Sequence, residues 1–253
     1  VSRGLGDVYK RQELIHYMKP QKLLTYTRKA IEDYHMIEQG DKIAIGISGG
    51  KDSLTLLYAL SKLKEFYPIS FDLVALTIDL GFTDYDTSLL SQYADSLHVP
   101  YYIEKTQIAD IVFTYRQEEN PCSLCSRMRK GAFNERAKAL GCNKIAYAHH
   151  KDDVLDSFLM SMLYEGRIHT FSPVTHLERS ELTLIRPLIY AYEGEIKSFA
   201  TEQQLPVCKN PCPADGITKR QESKNLLLEL KKNVPQVKER IFSAITGSGI
   251  DGW

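Results

Sequence analysis

Strands alternating with helices along the chain predict an α/β fold, a parallel sheet with helices on both faces. Three observations carry this reading. Ile43, Ile45 and Ile47 are β-branched and closely spaced, as in a strand buried within a parallel sheet. Gly49 and Gly50 follow at once, and then Leu54, Leu56, Leu57 and Leu60 recur as an apolar helix face. The same strand-then-helix order returns downstream, through 253 residues with 43% hydrophobic and 25% charged content. That length and composition suit one large globular domain with a sizeable core.

In chain order, residues 1–20 are expected to be disordered or non-native, and 21–253 to form a single domain with a partly irregular, helical C-terminal extension. Leu23, Leu24, Tyr26, Ile31 and Tyr34 give Lys22–Met36 an apolar helical face. Phe71–Asp79 reads as the second strand, Thr87–Leu97 as a helix and Val99–Ile103 as the third strand. Ser123–Leu140 is a long helix closed by Gly141, followed by a short strand at Lys144–Ala148 and a helix at Asp152–Leu163. Leu182–Ile185 is a further strand. Tyr192–Gln203, Lys219–Lys231 and, more weakly, Pro235–Ile245 are helical.

Composition narrows the function classes. No apolar run approaches the length needed to span a bilayer, and no charged-then-apolar leader pattern opens the chain, so a cytoplasmic protein without a membrane partner is expected. A net charge of +0 argues against a protein coated in basic charge, while nucleic acid can still bind local patches. Five cysteines, an odd number, point to metal or catalytic thiols rather than a disulfide framework.

The first strand, the glycine turn and the following helix carry the clearest chemistry. A loop between a strand and a helix N-terminus aims backbone N–H groups and the positive end of the helix dipole at one point, which makes an anion site. Ser48, Lys51 and Ser53 add side-chain donors. The spacer and the Gly-Lys-Ser/Thr ending of a Walker A loop are missing. The hexapeptide Ser48–Ser53 instead resembles the Ser-Gly-Gly-x-Asp-Ser loop of the PP-loop ATP pyrophosphatases, which cleave ATP to AMP and pyrophosphate. The resemblance implies a PP-loop, adenine nucleotide alpha hydrolase-like fold. It also implies ATP held by Ser48, Gly49, Gly50, Lys51, Asp52 and Ser53, with adenine against the strand end Leu76–Asp79. Asp79 itself could equally be a solvated strand end.

His149-His150-Lys151-Asp152-Asp153 follows the fourth strand and resembles the Gly-His-His-x-Asp-Asp element of the thiolating PP-loop branch. Ala148 stands where that branch has Gly, and Asp156-Ser157 where Glu-Thr is usual. His149, Asp152 and Asp153 are expected at the nucleotide, the two carboxylates holding Mg²⁺ through hard oxygen ligands. A bare Asp-Asp pair at this place is otherwise a helix N-cap.

Cys122 and Cys125 open the long helix two residues apart, and Cys208 and Cys212 occur far along the chain. Four thiols suit an iron–sulfur cluster, a structural zinc site, a redox disulfide or inert packing. Cys142, beside Gly141, reads as a core cysteine. The segment Cys122–Gly131, together with the phosphate loop and the late cysteines, resembles the tRNA 2-thiocytidine synthetases over roughly residues 22–230. That resemblance implies ATP-dependent thiolation of cytidine 32 in the tRNA anticodon loop. It implies a 4Fe–4S cluster on Cys122, Cys125 and Cys212 with one iron open, and catalytic roles for Lys51, Asp52, Cys122 and Cys212. The implied partners are tRNA and a sulfur donor such as a cysteine desulfurase, with a homodimer as the assembly. Arg127, Arg129, Lys130, Arg167, Lys219 and Arg220 supply the local positive charge that phosphates need. Two other readings stand beside it: a different PP-loop synthetase with structural zinc, and a non-enzymatic ATP-binding iron–sulfur protein.

Overall fold

A computed structural model describes residues 18–82, 86–116, 121–208, 212 and 220–253. Six strands form one sheet: β1 (Lys42–Gly46), β2 (Asp72–Asp79), β3 (Tyr101–Lys105), β4 (Lys144–Ala146), β5 (Val174–Leu177) and β6 (Leu182–Ile185). Their order is β3-β2-β1-β4-β6-β5. All neighbours are parallel except β5, which returns antiparallel along β6. The helices are α1 (Pro20–Asp33), α2 (Lys51–Lys64), α3 (Ser88–Ser96), α4 (Pro121–Ala139), α5 (Lys151–Met160), α6 (Glu193–Glu202), α7 (Arg220–Asn233) and α8 (Val237–Ser248).

Side-chain alternation along the strands feeds two cores. Ile43 and Ile45 of β1 face the helices of one layer, against Leu23 and Ile31 of α1, Leu54, Leu57 and Leu60 of α2, and Phe199 of α6. Ala44, Val74, Leu76 and Ile145 face the other layer, against Phe133 and Ala137 of α4. A third cluster joins Val154, Leu155 and Leu159 of α5 to Leu227 of α7 and to Phe242 and Ile245 of α8. The C-terminal helices are therefore anchored on α5, the helix that opens at the second nucleotide motif.

The predicted architecture is present, with local differences. Strand β5 was not expected: it is four residues long and pairs on one side only, at the sheet edge. The helix expected to run to Leu163 ends as α5 at Met160 and continues as a π-helical turn over Ser161–Glu165, closed by Gly166 at φ 64°. A second π-helical turn occupies Asp110–Arg116. Strand β4 stops at Ala146, two residues short of its expected end. Of the segment 1–20, residues 1–17 lie outside the described residues, Met18 is buried and Pro20 begins α1.

From β1 the chain moves outward to β2 and β3, then crosses back to lay β4 on the other side of β1. The loops after β1 and β4 therefore flank the point where the strand order reverses, the crevice in which open α/β sheets bind ligands.

Candidate active site at the sheet edge

The loop after β1 is held open by its own hydrogen bonds. Ile47 N–H donates to the Leu76 carbonyl at 2.9 Å, and the Thr77 hydroxyl donates to the Ile47 carbonyl at 2.9 Å. The chain then turns at Gly49, with φ +77°, in the left-handed region where only glycine rests without strain. The Gly50 N–H donates to Ser48 Oγ at 3.3 Å, while Ser53 Oγ donates to the Gly50 carbonyl at 2.9 Å and accepts from Ser48 N–H at 3.2 Å. No side chain caps α2 at Gly50, so its first N–H groups and dipole are left for an anion.

Beside this loop lies an ionic network. Lys51 Nζ is 3.1 Å from Asp52 Oδ2 and 3.3 Å from Glu193 Oε1, and Glu193 Oε2 accepts from Lys224 Nζ at 2.8 Å. Burial pulls the Lys51 ammonium down, but the Asp52 and Glu193 carboxylates outweigh it and raise it. Burial likewise pushes the Glu193 carboxyl up, yet the Lys224 hydrogen bond and the charges of Lys51 and Lys224 bring it down to about 2. Asp52 Oδ1 is buried, accepts no hydrogen bond, and sits 3.9 Å from His150 Nε2.

The motif after β4 is engaged differently from its expected use. His150 is the N-cap of α5: its Nδ1 accepts from Asp153 N–H at 3.3 Å, and Asp153 Oδ2 accepts from His150 N–H at 3.0 Å. This reciprocal pair is a capping box. Asp152 accepts from the Glu193 backbone N–H at 2.7 Å and from the Lys238 ammonium. Asp152 and Asp153 were expected to hold Mg²⁺. Here Asp152 is committed to the junction of α5, α6 and α8, and Asp153 to the cap of α5. Among the described residues no three His, Cys, Asp or Glu side chains gather around a single metal ion. Asp79 also has local work, since its Oδ1 accepts from Gly81 N–H at 2.9 Å and shapes the turn after β2. His149 lies 4.9 Å from the Phe171 ring and 6.0 Å from that of Tyr147, and Phe171 in turn carries the Arg186 guanidinium at 4.9 Å.

Cys122 is exposed and Cys125 half-buried at the start of α4. Burial pushes the Cys125 thiol up, the Arg129 charge opposes this, and Cys212 and Cys122 are near enough to add to the rise. Cys208 sits elsewhere. Its backbone N–H donates to the Gly49 carbonyl at 2.9 Å, and a Cβ built on Gly49 would stand 3.1 Å from Cys208 Cβ. Cys142 is buried in the α4-side core, as expected. All five cysteines are free thiols. Arg127, Arg129, Lys130 and Arg167 are exposed. Lys219, the Arg220 side chain, and the prolines 211 and 213 beside Cys212 lie outside the described residues. Glu193, Lys224 and Lys238 were not singled out from sequence, because nothing local marks residues whose partners are tens of positions away.

A family model described as the PP-loop domain matches residues 21–228. A tRNA-cytidine(32) 2-sulfurtransferase of Pelobacter propionicus is 38% identical over 86% of this chain and 82% of its own length. The chain belongs to that PP-loop sulfurtransferase family. The Geobacter sulfurreducens relative of the same name is 35% identical over 92% of both chains. Among solved structures, the U34-tRNA thiolase NcsA of Methanococcus maripaludis, described with its [4Fe-4S] cluster, superposes with a TM-score of 0.72 at 24% identity, over 89% of this chain and 79% of its own. That likeness shows the shared PP-loop fold.

Proposed function

We propose that this PP-loop protein uses ATP to convert cytidine 32 of the tRNA anticodon loop to 2-thiocytidine, with sulfur supplied by a donor such as a cysteine desulfurase. One observation carries the reading: the phosphate loop touches the segment that leads to Cys212, through the Cys208–Gly49 hydrogen bond. This contact supports a reading in which nucleotide and sulfur chemistry meet at one edge of the sheet. Family membership supports the substrate, and the PP-loop domain supports ATP.

The uncapped N-terminus of α2 and the Ser48–Ser53 loop receive the phosphates, and Lys51 neutralises charge as it builds. The C2 oxygen of the base attacks the α-phosphorus, pyrophosphate leaves, and the base carries AMP as a leaving group. A loop nucleotide is already unstacked enough to reach such a site at low cost. Leu76–Asp79 remains the proposed adenine edge. Cys122, Cys125 and Cys212 would hold a 4Fe–4S cluster; that all three are free thiols, with Cys212 and Cys122 near enough to act on Cys125, supports this ligand set. When bound, the cluster would supply a site for sulfide; attack of sulfur at C2 forms the C–S bond as the C2–O bond breaks and AMP leaves. The charge on Arg129 favours the Cys125 thiolate that ligation needs. Exposed Arg127, Arg129, Lys130 and Arg167 offer contacts to tRNA phosphates.

The test is anaerobic turnover with unmodified tRNA. The expected result is 2-thiocytidine with one AMP and one pyrophosphate per base, abolished in Lys51→Ala or Asp52→Ala with an unchanged melting profile. Undiminished AMP formation in either variant would remove the phosphate loop from the mechanism.

A further inference from the structure

Glu193 has an unusual position for a surface carboxylate. It is the first residue of α6, its backbone N–H donates to Asp152, and its two oxygens bridge two ammonium groups. One is Lys51 of the phosphate loop, at 3.3 Å; the other is Lys224 of α7, at 2.8 Å. The bridge lies where α2 and α6 begin, so helix dipoles add to the positive potential around it. A carboxylate held by two lysines, one of them the first residue of α2, is in the place of a phosphate.

The two lysines have different origins. Lys51 is local to the loop, whereas Lys224 comes from the C-terminal extension and reaches the loop because Leu227, one turn further on, is buried against α5. Its ammonium is raised by Glu193 against the opposing effect of burial, so it stays charged throughout the neutral range. Without Glu193, Lys51 would keep only Asp52 as partner and Lys224 would lose its ion pair, so the carboxylate between them stabilises both. The tie between Glu193 and Asp152 keeps the α6 terminus fixed while the glutamate side chain, about one-third exposed, is able to swing out.

We propose that Lys224 is a phosphate-binding residue, and that Glu193 occupies its place and that of Lys51 until a polyphosphate displaces the carboxylate. The proposal rests on the phosphate-loop reading above and adds a cation to it from the other end of the chain. The incoming anion exchanges one ion pair for another, so neither lysine is left unpaired, and Glu193 sets a threshold that weakly charged anions do not cross.

The test is calorimetric titration of the full-length protein with inorganic pyrophosphate and, separately, with ATP. Lys224→Gln is expected to weaken pyrophosphate binding by about tenfold or more, the loss of one charge-assisted contact. Glu193→Gln is expected to tighten it several-fold, and Lys224→Arg to stay near wild type. Opposite signs for the two neutral variants distinguish phosphate binding from a structural tie between α6 and α7, for which both would act in the same direction. Equal weakening by Glu193→Gln and Lys224→Gln overturns the proposal, as does pyrophosphate affinity unaffected by Lys224→Gln. If Lys224→Gln does not fold, the sign of the Glu193→Gln effect decides alone. A wild-type protein that binds neither ATP nor pyrophosphate overturns the phosphate-loop reading itself, whereas a normal wild type with unchanged variants overturns this inference only.

Discussion

Between Ile47 and Ser53 the phosphate loop is held chiefly by neighbours: its serines bond within the turn, and its anchor to the sheet comes from the adjacent strand β2. Cys122, Cys125 and Cys212, the thiols proposed for the cluster, are placed quite differently and do not close around one metal position as they stand. Two ride on the first two turns of α4 and the third arrives from beyond α6. The loop is thus preorganised by local geometry, while the cysteine site depends on tertiary approach. A site of the first kind keeps its shape when empty, whereas one of the second kind is completed by what it binds, as metal binding often completes folding.

This contrast leads to three expected outcomes. The largest effect lies at the thiols. Cys122→Ala, Cys125→Ala and Cys212→Ala should each lose iron and all thiolation, yet bind ATP within a few-fold of wild type; Cys142→Ala should keep iron and activity. Iron and acid-labile sulfide assays beside an ATP titration check this. Cluster loss in Cys208→Ala with retention in Cys212→Ala would show that the third ligand is the thiol beside Gly49.

The next effect lies where the two regions touch. Gly49→Ala would put a side chain at φ +77° and a methyl group 3.1 Å from Cys208 Cβ. The backbone strain alone costs about 1–2 kcal/mol. The expected result is a lower melting temperature and ATP binding weakened by about tenfold, with iron content also reduced because the contact moves both partners. If iron content stays at the wild-type level while ATP binding falls, the two regions are independent.

The smallest effect is on stability against pH. The Glu193 carboxyl is lowered from 4.5 to about 2 in the folded chain. A lowered carboxyl stabilises the fold above its unfolded value and loses that contribution as pH falls through the folded value. The melting-temperature difference between wild type and Glu193→Gln should therefore be constant above about pH 5 and shrink between pH 4.5 and about 2. A difference that persists to the acid end would mean that the Lys51 and Lys224 contacts do not discriminate charge.

How much of this was legible in the sequence follows from the same division. The buried strand β1, the glycine turn and α2 were readable because each signal is local: β-branched spacing, a residue free to adopt positive φ, and an apolar helix face. The parallel order followed from alternation. Strand β5 escaped because four residues, Val174–Leu177, half exposed at an edge, carry too short a period to register. Asp152 and Asp153 stood open between a metal pair and a helix cap because the two look alike in sequence. What separates them is the presence of Lys238 and Glu193 N–H, brought in by helices some distance downstream. The cysteine spacing suggested a ligand set, while the contact of Cys208 with Gly49 could not be read from it, because it joins residues some 160 positions apart.

The Cys208–Gly49 hydrogen bond also acts as the fixed end of a tether. Cys212 lies four residues beyond it, and four residues of fully extended chain span at most about 14 Å. The Cα of Cys212 therefore cannot stray farther than that from the Cα of Cys208, which is bonded to the loop, however its surroundings move. If Cys212 carries the sulfur, the gap open to a nucleobase is set by the length of a peptide, and inserting one residue between 208 and 212 would raise that limit by about 3.5 Å.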